Sequence, residues 1–467
     1  MAGHESDKPN IVLILIDDMG WKDTGVTGSE YYQTPNIDEL AAEGMLFTRA
    51  YSAAPVCAPS RGAILTGKYP ARTKYTTVID DAGIRNGRLQ DVSKASIWSG
   101  QQRYHQQHLE GLHRHLLPLE EITFAEHLQE EGYATGYAGK WHGGLGVAHS
   151  PKNQGFDYAE GYETSSYNTP GHFGRHCIGK VSGMTELKPE DNMADALTDL
   201  AVRFIETNKQ RPFAFMLSHW AVHTPLQARP EEIGQWQKVP TTDQSNPAYA
   251  AMVESVDRSV GTIVDTLDRL GLSENTLIVF TSDNGGLTLR NITSNYPLLG
   301  GKSFPYEAGM RVPFIVRWPA RVTAGATNDT PVVGMDIHTT LLDCAGLKDE
   351  LPESNDGVSL KPLLLGEKES RRRPLFFHYP HYTHATGPFS SVVDRGWKLI
   401  RFYNDTSGSY QLFHLGEDPY EQHDLADSSP ERREELIAVL DDWPVSIGAE
   451  LPRANPEFNP ELPPTGF

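Results

Sequence analysis

The sequence predicts an α/β protein: a large, mostly parallel central sheet sandwiched by helices, plus a smaller C-terminal subdomain with an antiparallel sheet and a helix. Three observations predict it. An amphipathic helix followed by a short apolar strand recurs along most of the chain, and that alternation buries a parallel sheet under helices on both faces. Each apolar run stops abruptly at charged or polar residues, as strands do whose carboxyl ends carry a site. Past "DGVSLKPLLLGE" the period shortens to that of antiparallel strands.

The elements follow in order. "PNIVLILIDDMG" is short, rich in β-branched residues and ends on two aspartates, so it is a buried strand rather than a helix. "TPNIDELAAEGMLFTRAYS" starts as a helix with Pro35 in its first turn and Gly44 at its end. "ITFAEHLQEEGYATGYAGKWH" repeats the scheme: helix, stop at Gly132, strand, polar end. "ALTDLAVRFIETNKQRPFAFMLSHWAVHTP" and "YAAMVESVDRSVGTIVDTLDRLGLSENTLIVFTSDNG" repeat it twice more. "RRPLFFHYPHY", "FSSVVDRGWKLIRFYN" and "SYQLFHLGEDPYEQHDLA" alternate as antiparallel strands, with turns at Arg395-Gly396 and Ser407-Gly408. The helix "PERREELIAVLDDW" and a Pro-rich tail close the chain. The domain division is therefore 1–368 for the α/β domain and 369–467 for the C-terminal subdomain. Residues 85–118 are polar and His-rich without a period, and read as a long loop or short helices.

Composition narrows the function. The 467 residues carry 61 acidic against 41 basic side chains, a formal charge of −20 that excludes nucleic acid as an ordinary partner. An acidic whole can still hold a basic pocket. Cys57, Cys177 and Cys344 form no disulfide framework; at most one pair could join, and the sequence does not choose it, Cys177 with Cys344 included. No apolar run reaches membrane-spanning length, so no membrane insertion is expected.

The strand ends supply the chemistry. Asp17-Asp18, Lys140 with His142, His219 with His223, and Asp283-Asn284 stand at four equivalent edges. A single Asp-Asp pair is as well explained by helix capping. Two acidic strand ends together make Asp17, Asp18, Asp283 and Asn284 a set of hard oxygen ligands suited to Ca2+ or Mg2+ rather than zinc. Cys57, in "PVCAPSRGAILTG", is open to more than one account: an inert half-buried thiol, or a thiolate activated by Arg61 and a helix start.

A third account needs the whole string. C-x-P-S-R followed by "LTG" resembles the signature of the type I, formylglycine-dependent sulfatases of the alkaline-phosphatase-like superfamily. "PNIVLILIDDMGW", "GYATGYAGKWHGG", "HTPLQ", "TSDNGG", "GGKSFPYEAGMRVPFIVRWP" and "WKLIRFY" with "LFHLGEDPYEQHDLA" extend the resemblance over nearly the whole chain. It implies Asp17, Asp18, Asp283 and Asn284 as calcium ligands. It implies Cys57 as the precursor of formylglycine, oxidised by a formylglycine-generating maturation enzyme, with Arg61, Lys140, His142, His223 and Lys302 around it.

The implied chemistry is coherent. A sulfate monoester is an anion, so a divalent ion with Lys140, Lys302 and Arg61 would neutralise its sulfuryl oxygens. The hydrated aldehyde attacks sulfur with one hydroxyl; deprotonation of the other re-forms the carbonyl and expels sulfate. His142 is expected to take that proton, and His223 with Lys302 to protonate the leaving oxygen. His219 is left outside the catalytic set.

The substrate is read less directly. No apolar hairpin that would dip into a membrane is present, and "HYPHYTH" adds His378, His381 and His384 near the pocket. The loop before it adds His105, His108, His113 and His115. His113, His381 and Arg72 are the candidate substrate contacts, and a sulfated galactose or hexosamine unit of a polysaccharide is the expected substrate. Such substrates lie outside the cytoplasm, so a periplasmic or secreted protein whose export signal has been removed is expected. The alternatives are a phosphate or phosphonate monoester hydrolase of the same superfamily, and a catalytically silent carbohydrate-binding relative.

Overall fold

A computed structural model of the chain describes residues 8–78, 108–111, 113–114, 116–163, 171–172, 181–184, 191–367, 373–383, 386–403 and 410–459. His105, His115, His384, Cys177, the Ser407-Gly408 turn and most of the 85–118 loop lie outside the described residues.

The expected helix–strand alternation closes into an eight-stranded sheet. Its order is Ala326–Asn328, Met45–Phe47, Phe314–Arg317, Thr276–Ser282, Asn10–Ile16, Phe213–Ser218, Ala134–Gly139 and Tyr158–Glu160. The sheet is parallel except where Phe314–Arg317 runs against both of its neighbours. Asn10–Ile16 is central and wholly buried, which is why its sequence is apolar at every position from Ile11 on rather than at alternate ones.

Its two faces serve two cores. Val12, Ile14 and Ile16 pack with Leu197 and Phe204 of the Met193–Asn208 helix and Val256 and Val260 of the Pro247–Arg269 helix. Ile11, Leu13 and Leu15 pack with Ile64, Leu128 and Leu341 of the helices Cys57–Thr66, Phe124–Glu130 and Asp336–Cys344. Alternation along one strand thus assigns five helices to opposite sides of one sheet.

Leu375–Tyr379, Phe389–Asp394, Trp397–Phe402 and Tyr410–His414 form the four-stranded antiparallel sheet. Arg395 (φ 51°) and Gly396 (φ 80°) join its central hairpin, and positive φ at both turn residues is what a two-residue hairpin with the natural strand twist requires. Leu399 and Leu412 on one face meet Leu436 and Leu440 of the Pro430–Ile447 helix. Phe377, Ile400 and Phe413 on the other meet Tyr51, Ala63 and Met310 of the larger domain. The helix expected to stop at Gly44 runs Pro35–Ala42 with Glu43 as its C-cap, and Met45–Phe47 then joins the sheet antiparallel to Phe314–Arg317.

Candidate active site

Strand register builds the site. Leu15 and Gly139 are both in register with Ser218, and Ile16 is in register with Ser282. The residues that follow, Asp17-Asp18, His219, Lys140 and Asp283-Asn284, therefore leave the sheet at one carboxyl edge, where parallel sheets place their ligands. The Cys57–Thr66 helix starts at the same edge. One sulfur of Cys57 and one carboxylate oxygen each of Asp17 and Asp283 lie within 4.8 Å of one another. The first turn of that ten-residue helix brings backbone N–H groups and positive dipole to residue 57.

Cations interleave with the acids. Lys140 Nζ donates to Asp17 Oδ2 at 2.6 Å, and Lys302 Nζ to Asp18 Oδ1 and Oδ2 at 2.6 and 2.8 Å. Lys302 is delivered by a loop tied down on both sides: its N–H donates to the Gly286 carbonyl, and the Ser303 N–H donates to the carbonyl of Pro55, two residues before Cys57. His223 Nδ1–H donates to the Thr224 carbonyl at 2.6 Å, which turns Nε2 toward Asp18, 3.7 Å away. Three non-glycine residues here, Asp18, His142 and Ser303, have positive φ. Such strain persists only where surrounding structure overdetermines it, and it gathers at functional sites.

Arg61 has a scaffold role beside its expected one. Its Nε donates to Asp283 Oδ2 at 2.7 Å, and its Nη1 to the Lys140 carbonyl and Ser218 Oγ at 2.8 and 2.5 Å. Two of its three nitrogens are spent on the scaffold, and Nη2 faces Asp17 at 3.8 Å. Arg61 therefore orders Asp283 and the Lys140 backbone, while its Nη2, buried without a hydrogen-bond partner among the described residues, is left to face a sulfuryl oxygen beside the two lysines.

Protonation follows from burial and these pairs. Burial would raise Asp18, but Lys302, His223 and Lys140 outweigh it and hold the carboxyl well below the usual range. Burial raises Asp283 despite the opposing charge of Arg61. Burial would lower Lys140 and Lys302, yet Asp17 and Asp18 respectively keep both ammonium groups raised and charged. Burial pushes the Cys57 thiol up although Lys140 and Lys302 pull it down. A raised thiol weighs against the thiolate-nucleophile account. Burial, then the charges of Lys140 and Arg61, press His142 well below an ordinary imidazole; burial brings His223 down to about 3, against the pull of Asp18.

The donor set fits a hard divalent cation. Asp17, Asp283 and Asn284 have no solvent exposure. Asp17 Oδ1 and Asn284 Oδ1 are buried without a hydrogen-bond partner among the described residues. Inward oxygens left in that state are costly unless a cation takes them.

Several side chains fall elsewhere than expected. Arg72 is not with the site: its Nε and Nη2 grip Asp356 at 2.8 and 2.6 Å, so its fork is already filled. His381 is fully buried, with Nδ1 3.0 Å from Glu110 Oε2 and Nε2 2.8 Å from Thr76 Oγ1, so both ring nitrogens are engaged below the surface. His113 is half-buried and lies edge-on to His381, centroids 4.7 Å apart. His219 is turned into the core, where its Nε2 meets Ser259 Oγ at 2.9 Å. His378 is likewise structural, between Ser390 Oγ and the Glu450 carbonyl.

Glu163 escapes sequence reasoning. Its buried carboxylate accepts the backbone N–H groups of Trp141 and His142 at 2.9 and 2.5 Å and so clamps the strained His142 peptide. The Tyr75 hydroxyl donates to the His142 carbonyl from the other side. "GYETSS" carries no motif that would have marked this glutamate.

Comparison with known proteins agrees with this geometry. A family model described as Sulfatase matches residues 9–347, and one described as the C-terminal part of N-sulphoglucosamine sulphohydrolase matches residues 299–442. N-acetylgalactosamine-6-sulfatase of Mus musculus is 32% identical, over 93% of this chain and 85% of that protein. The solved structure of Ps i-CgsB with k-i-k-neocarrahexaose is 30% identical, covers 94% of this chain and 93% of its own, and superposes with a TM-score of 0.76. A Bacteroides thetaiotaomicron structure described as BT33336S-sulf, from work on glycosaminoglycan metabolism, is 26% identical, with a TM-score of 0.73 over 94% of this chain and 100% of its own.

Proposed function

The chain belongs to the sulfatase family, and from that premise we propose that this sulfuric ester hydrolase acts on a sulfated sugar, a galactose or hexosamine unit of a polysaccharide. The observation that carries the reading is the convergence of the Cys57 sulfur, the Asp17 and Asp283 carboxylates, and the charged Lys140 and Lys302 at one sheet edge. The sugar is supported by two of the relatives, one named for N-acetylgalactosamine 6-sulfate and one solved with a carrageenan-type oligosaccharide.

Asp17, Asp18, Asp283 and Asn284 would hold Ca2+, which when bound supplies a doubly charged Lewis acid beside the sulfuryl group. Residue 57, once converted to formylglycine, supplies a hydrated aldehyde as the oxygen nucleophile. The chain's own groups do the rest. Lys140 and Lys302 neutralise the ester anion. Arg61 keeps Asp283 and the Lys140 backbone in place. His142 takes the proton released at residue 57: burial favours its neutral, proton-accepting form, and the negative charge of a bound ester strengthens it as a base. Lys302, on the Asp18 side with His223, faces the leaving oxygen; the negative charge of a bound ester raises His223 from about 3 and so helps it carry the proton it is to donate.

Parallel assays on nitrophenyl sulfate, nitrophenyl phosphate and defined sulfated saccharides test the reading. The expected result is higher efficiency on sulfate, highest on a sulfated galactose or N-acetylgalactosamine. Preference for phosphate, or for a steroid sulfate over every saccharide, overturns it. Intact mass should fall by about 18 Da when Cys57 is converted, a covalent change that precedes all the chemistry above. Cys57→Ala should abolish turnover in a folded protein. Action on a polysaccharide calls for an enzyme in the periplasm or outside the cell, an expectation that fractionation checks.

A further inference from the structure

Glu110, His113 and His381 form a second constellation, composed quite differently from the oxygen-only site. One ligand atom from each lies within 4.8 Å of the other two. The residues come from segments far apart in sequence, joined where the Gly111 N–H donates to the Pro380 carbonyl at 3.2 Å. We propose that this cluster is a binding site for a transition-metal ion of the zinc class.

Three features carry the assignment. The donors are two imidazoles and one carboxylate, a borderline set that favours zinc, where the Asp17 site offers only hard oxygens. Each donor is oriented by a further partner, as metal ligands are. Glu110 Oε1 accepts the Tyr382 N–H at 3.2 Å, leaving Oε2 to face His381. Thr76 Oγ1 holds His381 Nε2 at 2.8 Å, so Nδ1 is the atom turned to the site. His113 Nδ1–H donates to the Gly111 carbonyl at 3.3 Å, which in the neutral ring fixes the tautomer whose lone pair is on Nε2. Finally, the rings of His113 and His381 stand nearly perpendicular, at 87°, so their nitrogens converge on Glu110 without stacking. Tetrahedral zinc bonds of about 2.0–2.1 Å put donors roughly 3.3 Å apart. The 3.0 Å between His381 Nδ1 and Glu110 Oε2 already meets that, and only His113 must close in.

The site has a place in the enzyme. His381 packs on Tyr379, ring centroids 5.2 Å apart, and the charge of Lys302 reaches the Tyr379 hydroxyl. A bound ion would pin Glu110 and His113 to the end of the Leu375–Tyr379 strand beside the pocket. The two histidines expected to touch sugar thereby hold the wall instead.

Tag-free enzyme is kept in excess calcium, dialysed against micromolar Zn2+ and assayed for bound zinc. The same is done with Co2+, read by its visible absorption. Wild type should bind one zinc and give the bands of tetrahedral cobalt with nitrogen and oxygen donors. His113→Ala, at a half-exposed position, and Glu110→Gln should each weaken binding at least about a hundredfold, and Thr76→Val about tenfold, as loss of an orienting partner does. No zinc bound by wild type, equal binding by all three variants, or a thiolate-to-cobalt band from Cys57 overturns the proposal. It stands or falls independently of the sulfate ester reading, because its readout is metal content rather than turnover.

Discussion

Glu163→Gln is the most informative single change in the catalytic edge. The carboxylate accepts two backbone N–H groups, from Trp141 and His142, in a fully buried setting. Hydrogen bonds to a charged group contribute roughly 1.5–3 kcal/mol each. Glutamine keeps one acceptor and presents an NH2 group to the other N–H, so one bond is lost and a donor is left facing a donor. A stability loss of about 2–3 kcal/mol follows. The clamp also opposes strain: His142 sits at φ 58°, and a non-glycine residue held there costs about 1–3 kcal/mol. Released, the peptide relaxes and carries the imidazole with it; a displacement of about 1 Å is enough to lower kcat roughly 100-fold. Urea unfolding measures the first effect and steady-state hydrolysis of nitrophenyl sulfate the second. kcat/KM should hold and KM should fall with kcat, because the lysines that bind the ester do not depend on Glu163 and the slowed step is the release of sulfate. If His142 serves the release of sulfate, the variant should show a burst of nitrophenol before slow turnover. Glu163→Asp, which keeps both acceptors, should recover part of the rate. A variant that loses the expected stability yet keeps kcat within about threefold, about 0.7 kcal/mol of barrier, refutes the positioning role.

Asp18→Asn should lose calcium affinity and activity together while folding normally, since asparagine tolerates the positive φ of 67° at that position; full activity after exhaustive chelation would contradict the metal assignment. Acid should destabilise the protein through its buried histidines. Burial holds His219 at about 4, His338 at about 3 and His378 at about 4. These values lie below the unfolded value of about 6.5, so the unfolded chain binds more protons; stability is complete above pH ~6.5 and falls as pH drops toward 4. Each histidine contributes a slope of about 1.4 kcal/mol per pH unit in that window, and His378→Asn should remove one such increment from the measured stability–pH curve. Lys398→Met should be severe, because Lys398 Nζ lies 3.1 Å from Glu307 and 2.8 Å from Glu421, all three buried. Leaving two carboxylates unpaired costs about 3–5 kcal/mol, read as a lowered urea midpoint.

What the sequence made legible follows a physical division. Apolar runs that end in charge are strands buried on both faces, and their ends must share an edge once the strands are parallel and in register. Asp17, Lys140 and Asp283 were therefore within reach of sequence alone, as was the nearness of Cys57, whose helix begins at that edge. The scaffold task of Arg61 was not legible. A guanidinium beside a pocket can serve ligand or scaffold, and only the partners of its Nε and Nη1 decide. Arg72 shows the same limit: its fork is filled by Asp356, which lies 284 positions away and carries no local sign of the pairing.

The residues that stayed hidden share a different property. Glu163 acts on backbone N–H groups, and backbone donors look alike at every position of a sequence. Nothing in the spacing of Glu163 and His142 distinguishes a clamp from a solvated acid; the need for one arises only because His142 must hold a backbone conformation that its own side chain disfavours. The strain is a tertiary fact. Lys140 and His142 leave the strand end two positions apart, and a regular extended chain would keep both on the same face of the sheet. Positive φ at His142 breaks that regularity and lets the lysine reach Asp17 while the imidazole takes another direction. The carboxylate that stabilises this bend can come from any segment that passes nearby, here the stretch just after the Tyr158–Glu160 edge strand. Catalytic side chains announce themselves by chemistry; those that hold them in place are chosen by geometry, and geometry is what folding adds.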